Sequence, residues 1–89
     1  MAFNVTKDPQ AVLDYTLDWS LWLDGDTIST STWALDVGIT EDSESETATT
    51  TTVWVSGGTA GTTYNAVNTI TTVGLRTDQR TIQITVQEQ

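Results

Sequence analysis

The 89-residue chain has no cysteine, no histidine, one proline and only three side-chain cations against twelve carboxylates. Without cysteine there is no disulfide and no thiolate site. Without histidine there is no imidazole base and no Cys/His zinc site. The cations Lys7, Arg76 and Arg80 leave a net charge of −9, which excludes tracking a phosphate backbone or settling on anionic lipid. No apolar run approaches the roughly 18 residues of a membrane span. Met1 to Lys7 lacks an apolar secretory core, so a signal peptide is not expected. The chain should be made and assembled in a cytoplasm. Cofactors are not expected.

What is abundant is β-branched. The sequence holds 20 Thr, 8 Val and 5 Ile, a composition that suits pleated strands and opposes helices. Ala11, Leu13, Tyr15, Leu17, Trp19, Leu21 and Leu23 alternate with Val12, Asp14, Thr16, Asp18 and Ser20. That period of two predicts a strand to about Trp19, followed by a single helical turn and an Asp24-Gly25-Asp26 turn. Residues 27–36 predict a second strand, with Trp33 as core anchor and Ile28 on the opposite face. Ile39 should tuck inward. Residues 41–46 carry four acids in six positions and read as a solvated loop or frayed strand start. Strands are expected over residues 47–56, with Val53 and Val55 inward and Trp54 outward, and over 62–72, with Tyr64, Ala66, Asn68 and Ile70 on one face. The last spans 80–87, with Ile82, Ile84 and Val86 inward.

Short strands with turns about every 8–12 residues predict an all-β immunoglobulin-like β-sandwich of about six or seven antiparallel strands. Tyr64, just after a Gly-rich turn, is placed for a tyrosine corner. Residues 1–10 are expected to be an extended N-terminal arm ordered by a partner, and residues 11–89 a single domain.

The candidate chemical motifs are weak. Asp14 and Asp18, four strand residues apart, would be separated by roughly 13 Å. A glycosidase carboxylate pair needs roughly 5–9.5 Å. Asp24-Gly25-Asp26 lacks the later ligands of a calcium loop, and Gly57-Gly58-Thr59-Ala60-Gly61-Thr62 lacks the lysine of a phosphate loop. A Ser or Thr nucleophile would have only Lys7 as an amine base. Asn4-Val5-Thr6 is a glycosylation triplet without a secretory context. No enzyme is expected. The residues marked for protein contacts are Phe3 in the arm, Trp22 and Trp54 on otherwise polar faces, and Arg76 and Arg80 in an acidic chain. Arg76 and Arg80 also bracket Asp78, so a local ion pair is the competing reading.

The runs Lys7-Asp8-Pro9, Leu13-Asp14-Tyr15, Asp18-Trp19-Ser20, Trp22-Leu23, Asp26-Thr27-Ile28 and Ser31-Thr32-Trp33 carry a resemblance. It continues from Val53-Trp54-Val55 through Gly57-Gly58 to Tyr64, and through Asn68-Thr69-Ile70 to Arg76-Thr77-Asp78 and Arg80. Over nearly its whole length the chain resembles the phage fiber–tail adaptor proteins, a family of small tailed-phage structural proteins. One departure is Leu75, inserted between the usual Gly-Arg pair. The resemblance implies a non-enzymatic virion component of the tail or head–tail junction. Its partners would be other tail, adaptor, fiber or portal-proximal virion proteins, with no nucleic acid and no membrane, and the chain itself is expected in several symmetric copies per particle. The alternatives are a capsid decoration protein and a carbohydrate-binding module using Trp22 and Trp54 as stacking platforms.

Overall fold

The structure, a computed structural model, describes residues 2–87, with side chains from Asn4 onward. Seven strands and one helical turn follow in order: β1 (Ala2–Lys7), β2 (Leu13–Asp18), α1 (Ser20–Leu23), β3 (Ile28–Leu35), β4 (Ile39–Glu46), β5 (Thr50–Gly57), β6 (Thr63–Thr72) and β7 (Thr77–Val86). They form two sheets, β1-β7-β6-β3 and β2-β5-β4. Neighbours are antiparallel except β1, which runs parallel to β7. The chain is an all-β sandwich, as its β-branched composition and alternation predict.

The core lies between the sheets. Val53 and Val55 of β5 face Ile70, Ala66 and Tyr64 of β6 and Ile82, Ile84 and Val86 of β7, all buried. Period two holds along these strands, so the expected faces are correct. It fails where the backbone changes geometry. A register shift between Ile28 and Thr30 absorbs one residue and turns both Ile28 and Trp33 inward, although an unbroken alternation puts them on opposite faces. At α1 the period changes from two to helical. Leu21, expected beside Trp19, is 95% exposed, while Leu23 is buried.

Of the two readings of residues 41–46, solvated loop or frayed strand start, the structure gives strand, paired as far as Glu46. β4 pairs with β5 across Ile39–Glu46 with a bulge at Asp42. Every residue after Ile39 is exposed, so backbone pairing is satisfied without burying a carboxylate. The first residues are not an arm left unordered by their own domain. β1 pairs with β7 in register from Ala2 opposite Thr81 to Lys7 opposite Val86, and Val5 packs against the core. Lys7 ends the strand fully buried, its ammonium donating to Asp8 O at 2.8 Å and Gly57 O at 2.7 Å. A parallel edge strand needs no tight turn to its partner. Pairing between the two ends of the chain is therefore invisible to local pattern reading.

Tyr64 forms the expected corner contact. Its hydroxyl accepts the Thr59 N–H at 3.1 Å, and hydrogen bonding from the Thr59 side chain, then from this N–H, lowers its pKa below the usual phenol value. The ring is close against the backbone at Gly38, where an added Cβ would meet Tyr64 Cε1 at 2.6 Å; Gly38 also has φ +114. Only glycine fits there.

Candidate functional site

Three of the residues marked for contact converge at one end of the sandwich. Trp19 follows β2, Trp22 sits on α1, and their rings meet edge to face with centroids 5.6 Å apart. The guanidinium of Arg80, on β7, lies over Trp19 at 4.0 Å from the ring centroid. That of Arg76, in the β6–β7 turn, lies over Trp22 at 4.4 Å. Arg76 also donates to Leu23 O at 2.6 Å and pairs with Asp26 at 3.3 Å. Arg80 donates to Asp18 O at 2.9 Å. The ion-pair partner of Arg76 is thus Asp26, fifty positions away in sequence, not the adjacent Asp78, whose carboxylate accepts Gln79 N–H.

Asp26 is the hub of the β6–β7 turn. Hydrogen bonding from the Thr72 hydroxyl, then the Thr27 and Gly74 amides and the Arg76 guanidinium, holds its carboxyl down to about 2. Gly74 allows the approach, since a Cβ there would stand 2.7 Å from Asp26 Oδ2. The inserted Leu75 takes a left-handed φ of 66, which is costly for a branched side chain, and points into solvent.

Both arginines therefore bind elements of their own chain, beyond the local ion pair with Asp78 that was the competing reading. Replacing both by glutamine should lower stability by about 2 kcal/mol, through lost cation–π and carbonyl contacts. That is a Tm drop on the order of 10 °C for a domain this small. Differential scanning calorimetry checks it; an unchanged Tm would return the pair to simple turn charges.

Trp54 is 40% exposed, on the outer face of the β2-β5-β4 sheet, opposite Asp14 on β2 and Ser43 on β4. Trp22 is half-buried and packed on the core, so it offers less free surface. The Phe3 side chain lies outside the described residues.

The β4 edge carries a proton-sharing pair. Glu41 pairs with Val55 and Glu44 with Val53, so the bulge at Asp42 brings both carboxylates to the same face of β4, where both residues are exposed. A hydrogen bond from Glu41, then desolvation and the Glu41 charge, raise Glu44 to about 7. Its folded pKa is above its unfolded value near 4.5. The stabilisation is therefore complete below that unfolded value and is lost as pH rises towards 7. Glu44→Gln should flatten the stability–pH profile between about pH 5 and 7 and raise the melting temperature at pH 8 relative to wild type. A profile of unchanged slope would show that the two carboxyls do not share a proton.

The opposite side of the sandwich is open. Between the β1–β7 edge of one sheet and the β2 edge of the other is a groove of about 360 Å³, lined by Val5, Tyr15, Thr16, Leu17, Asp18 and Ile82. Tyr15 reaches across its mouth to Thr6 O at 3.5 Å. Sequence reading placed Tyr15 and Leu17 correctly on the apolar side of β2 but did not find the groove. That needed the pairing of β1 with β7, which leaves the outer edge of β2 without a neighbour.

Among the described residues no group of three or more Asp or Glu side chains is placed to hold a metal ion, and no helix is long and apolar enough to cross a membrane. No curated protein matches the chain. The family model described as podophage GP4 fiber-tail adaptor protein gp77 matches residues 7–85, and the chain belongs to that family of phage structural adaptors.

Proposed function

We propose that the chain is a non-enzymatic part of the virion tail that links fibers or other tail proteins through protein–protein contacts. The match to the adaptor family from residue 7 to residue 85 carries this reading. The physical character of the surface supports it. The chain has net charge −9, and Lys7, Arg76 and Arg80 each donate to backbone carbonyls of other segments. The contact surface on offer is acidic, with Trp54 as its exposed aromatic.

The fold is immunoglobulin-like on this reading. Lettered A to G in chain order, the strands sort into G-F-C and B-E-D, the division of that sandwich, with strand A moved to the G edge. Several copies around the tail would bury edges that a single small sandwich leaves bare. Assembly would take place in the host cytoplasm.

Quantitative mass spectrometry of separated heads and tails tests the location. Recovery with tails, and particles lacking fibers when the protein is withheld, are the expected results. Recovery with heads would favour capsid decoration instead. Glycan binding that quenches Trp54 fluorescence would favour a carbohydrate-binding module.

A further inference from the structure

β2 has a partner on one side only. The Trp19 N–H, just beyond the strand, donates to Thr49 O at 2.9 Å, in line with the β2–β5 register. Antiparallel hydrogen bonding alternates. The backbone groups of Leu13, Tyr15 and Leu17 therefore face β5, and those of Asp14, Thr16 and Asp18 face the empty side. Arg80 confirms that direction at one end by donating to Asp18 O. Between them, the outward backbone groups of Asp14 and Thr16 meet no partner among the described residues.

The groove is directly beside this edge. A strand laid against β2 would continue the β2-β5-β4 sheet and point alternate side chains two ways. One set would enter the groove against Val5, Leu17 and Ile82. The other would lie on the outer face beside Asp14 and Asp18, both exposed. The charge of the body decides the rest. A second copy of the chain would bring nine further net negative charges and set carboxylates against carboxylates, which opposes pairing.

We propose that the free edge of β2 and the groove beside it receive an extended strand of a basic partner protein, in which apolar side chains alternate with Lys or Arg. Main-chain hydrogen bonds to Asp14 and Thr16 supply the register, the groove takes the apolar side chains, and Asp14 and Asp18 meet the cations. This rests on the reading that the chain acts by binding other tail proteins, and it names the surface and the chemistry of one of them.

The probe is a synthetic seven-residue peptide of alternating Lys and Val, titrated into the full chain and followed by amide hydrogen exchange and NMR shifts. The expected result is new protection at Asp14, Thr16 and Asp18. A peptide of the same composition with its Lys and Val in separate blocks should bind at least about tenfold more weakly. Methylating the peptide nitrogens that face β2 should abolish binding without touching the protein. Thr16→Pro removes an outward N–H that β5 does not use and should also abolish it. Thr16→Val, which keeps that N–H, should not.

Equal binding of the blocked or methylated peptide, protection confined to β3 or β4, or no binding would each overturn the proposal. So would β2 protection in the free chain with self-association, which would make a second copy the occupant. Location in the tail is measured separately. A chain found in tails that ignores the peptide loses only the groove; one absent from tails loses the adaptor role while its peptide binding stands.

Discussion

Trp19→Ala should abolish the cooperative fold at ordinary temperature. Trp19 is fully buried, and truncating a buried Trp costs about 3–5 kcal/mol. A domain of this size holds about 4–13 kcal/mol in all. The substitution removes more than volume. The Trp19 indole donates to Thr51 Oγ1 and to Asn68 Oδ1, each at 3.2 Å, and its face carries Arg80. Far-UV circular dichroism during heating and the dispersion of the NMR amide spectrum are the measurements. A sharp transition at the wild-type temperature would show that the ring is not part of the core. Trp19→Phe separates the terms, since it keeps an aromatic body and loses the N–H, at about 1–3 kcal/mol. Trp33 provides the contrast. It is also buried, but its indole nitrogen has no partner among the described residues, so replacing it by Phe removes no hydrogen bond.

Legibility in the sequence followed the range of the interaction. Period-two alternation located the strands and named the inward residues of β5, β6 and β7, because burial of one sheet face acts residue by residue. The single turn at α1 was visible as a break in that period. Ile28 was assigned to the wrong face because a bulge costs one residue and leaves no compositional mark. Residues 41–46 read as a solvated loop or frayed strand start because acids are poor strand formers, but on this edge strand every residue after Ile39 is exposed, so pairing leaves the carboxylates in water. β1 was read as an arm because its partner is some eighty residues away.

The candidate site shows the same limit. Arg76 and Arg80 stood out as cations in an acidic chain, and Trp22 as an aromatic on a polar face. Their mutual stacking depends on how α1 meets the β6–β7 turn, which no spacing encodes. The groove beside β2 was harder still. Its residues look like ordinary core, and only the strand order shows that one wall of the core is missing.

Asn68→Leu should destabilise the fold by about 2–5 kcal/mol although it adds apolar volume to an apolar core. Asn68 is fully buried on β6 and uses all four of its hydrogen-bonding positions. Its Oδ1 accepts Thr51 Oγ1–H at 2.7 Å from the opposite sheet and the Trp19 indole N–H at 3.2 Å. Its Nδ2 donates to Ser31 Oγ and Thr32 O on β3, both at 2.9 Å. Sequence reading placed Asn68 inward with Ala66 and Ile70 but gave no reason for an amide there. The structure supplies one, a polar bolt joining both sheets and the Trp19 indole. Leucine would leave the Thr51 O–H without its acceptor and the Trp19 indole with Thr51 Oγ1 alone. Asn68→Asp keeps the acceptors but faces Thr32 O with a carboxyl. Burial favours its protonated form, so its folded pKa is above the unfolded value near 4, and stability should fall as pH rises through that higher pKa. The decisive measurement is a double-mutant cycle by chemical denaturation with Thr51→Val. The cycle is run in a Trp19→Phe background, which has no indole N–H to lose both of its acceptors. There, adding Thr51→Val should cost clearly less in the Asn68→Leu variant than beside Asn68, because it removes a hydroxyl that already lacks its acceptor. Strict additivity of the two changes would show that the cross-sheet bond contributes nothing and that Asn68 is merely tolerated in the core.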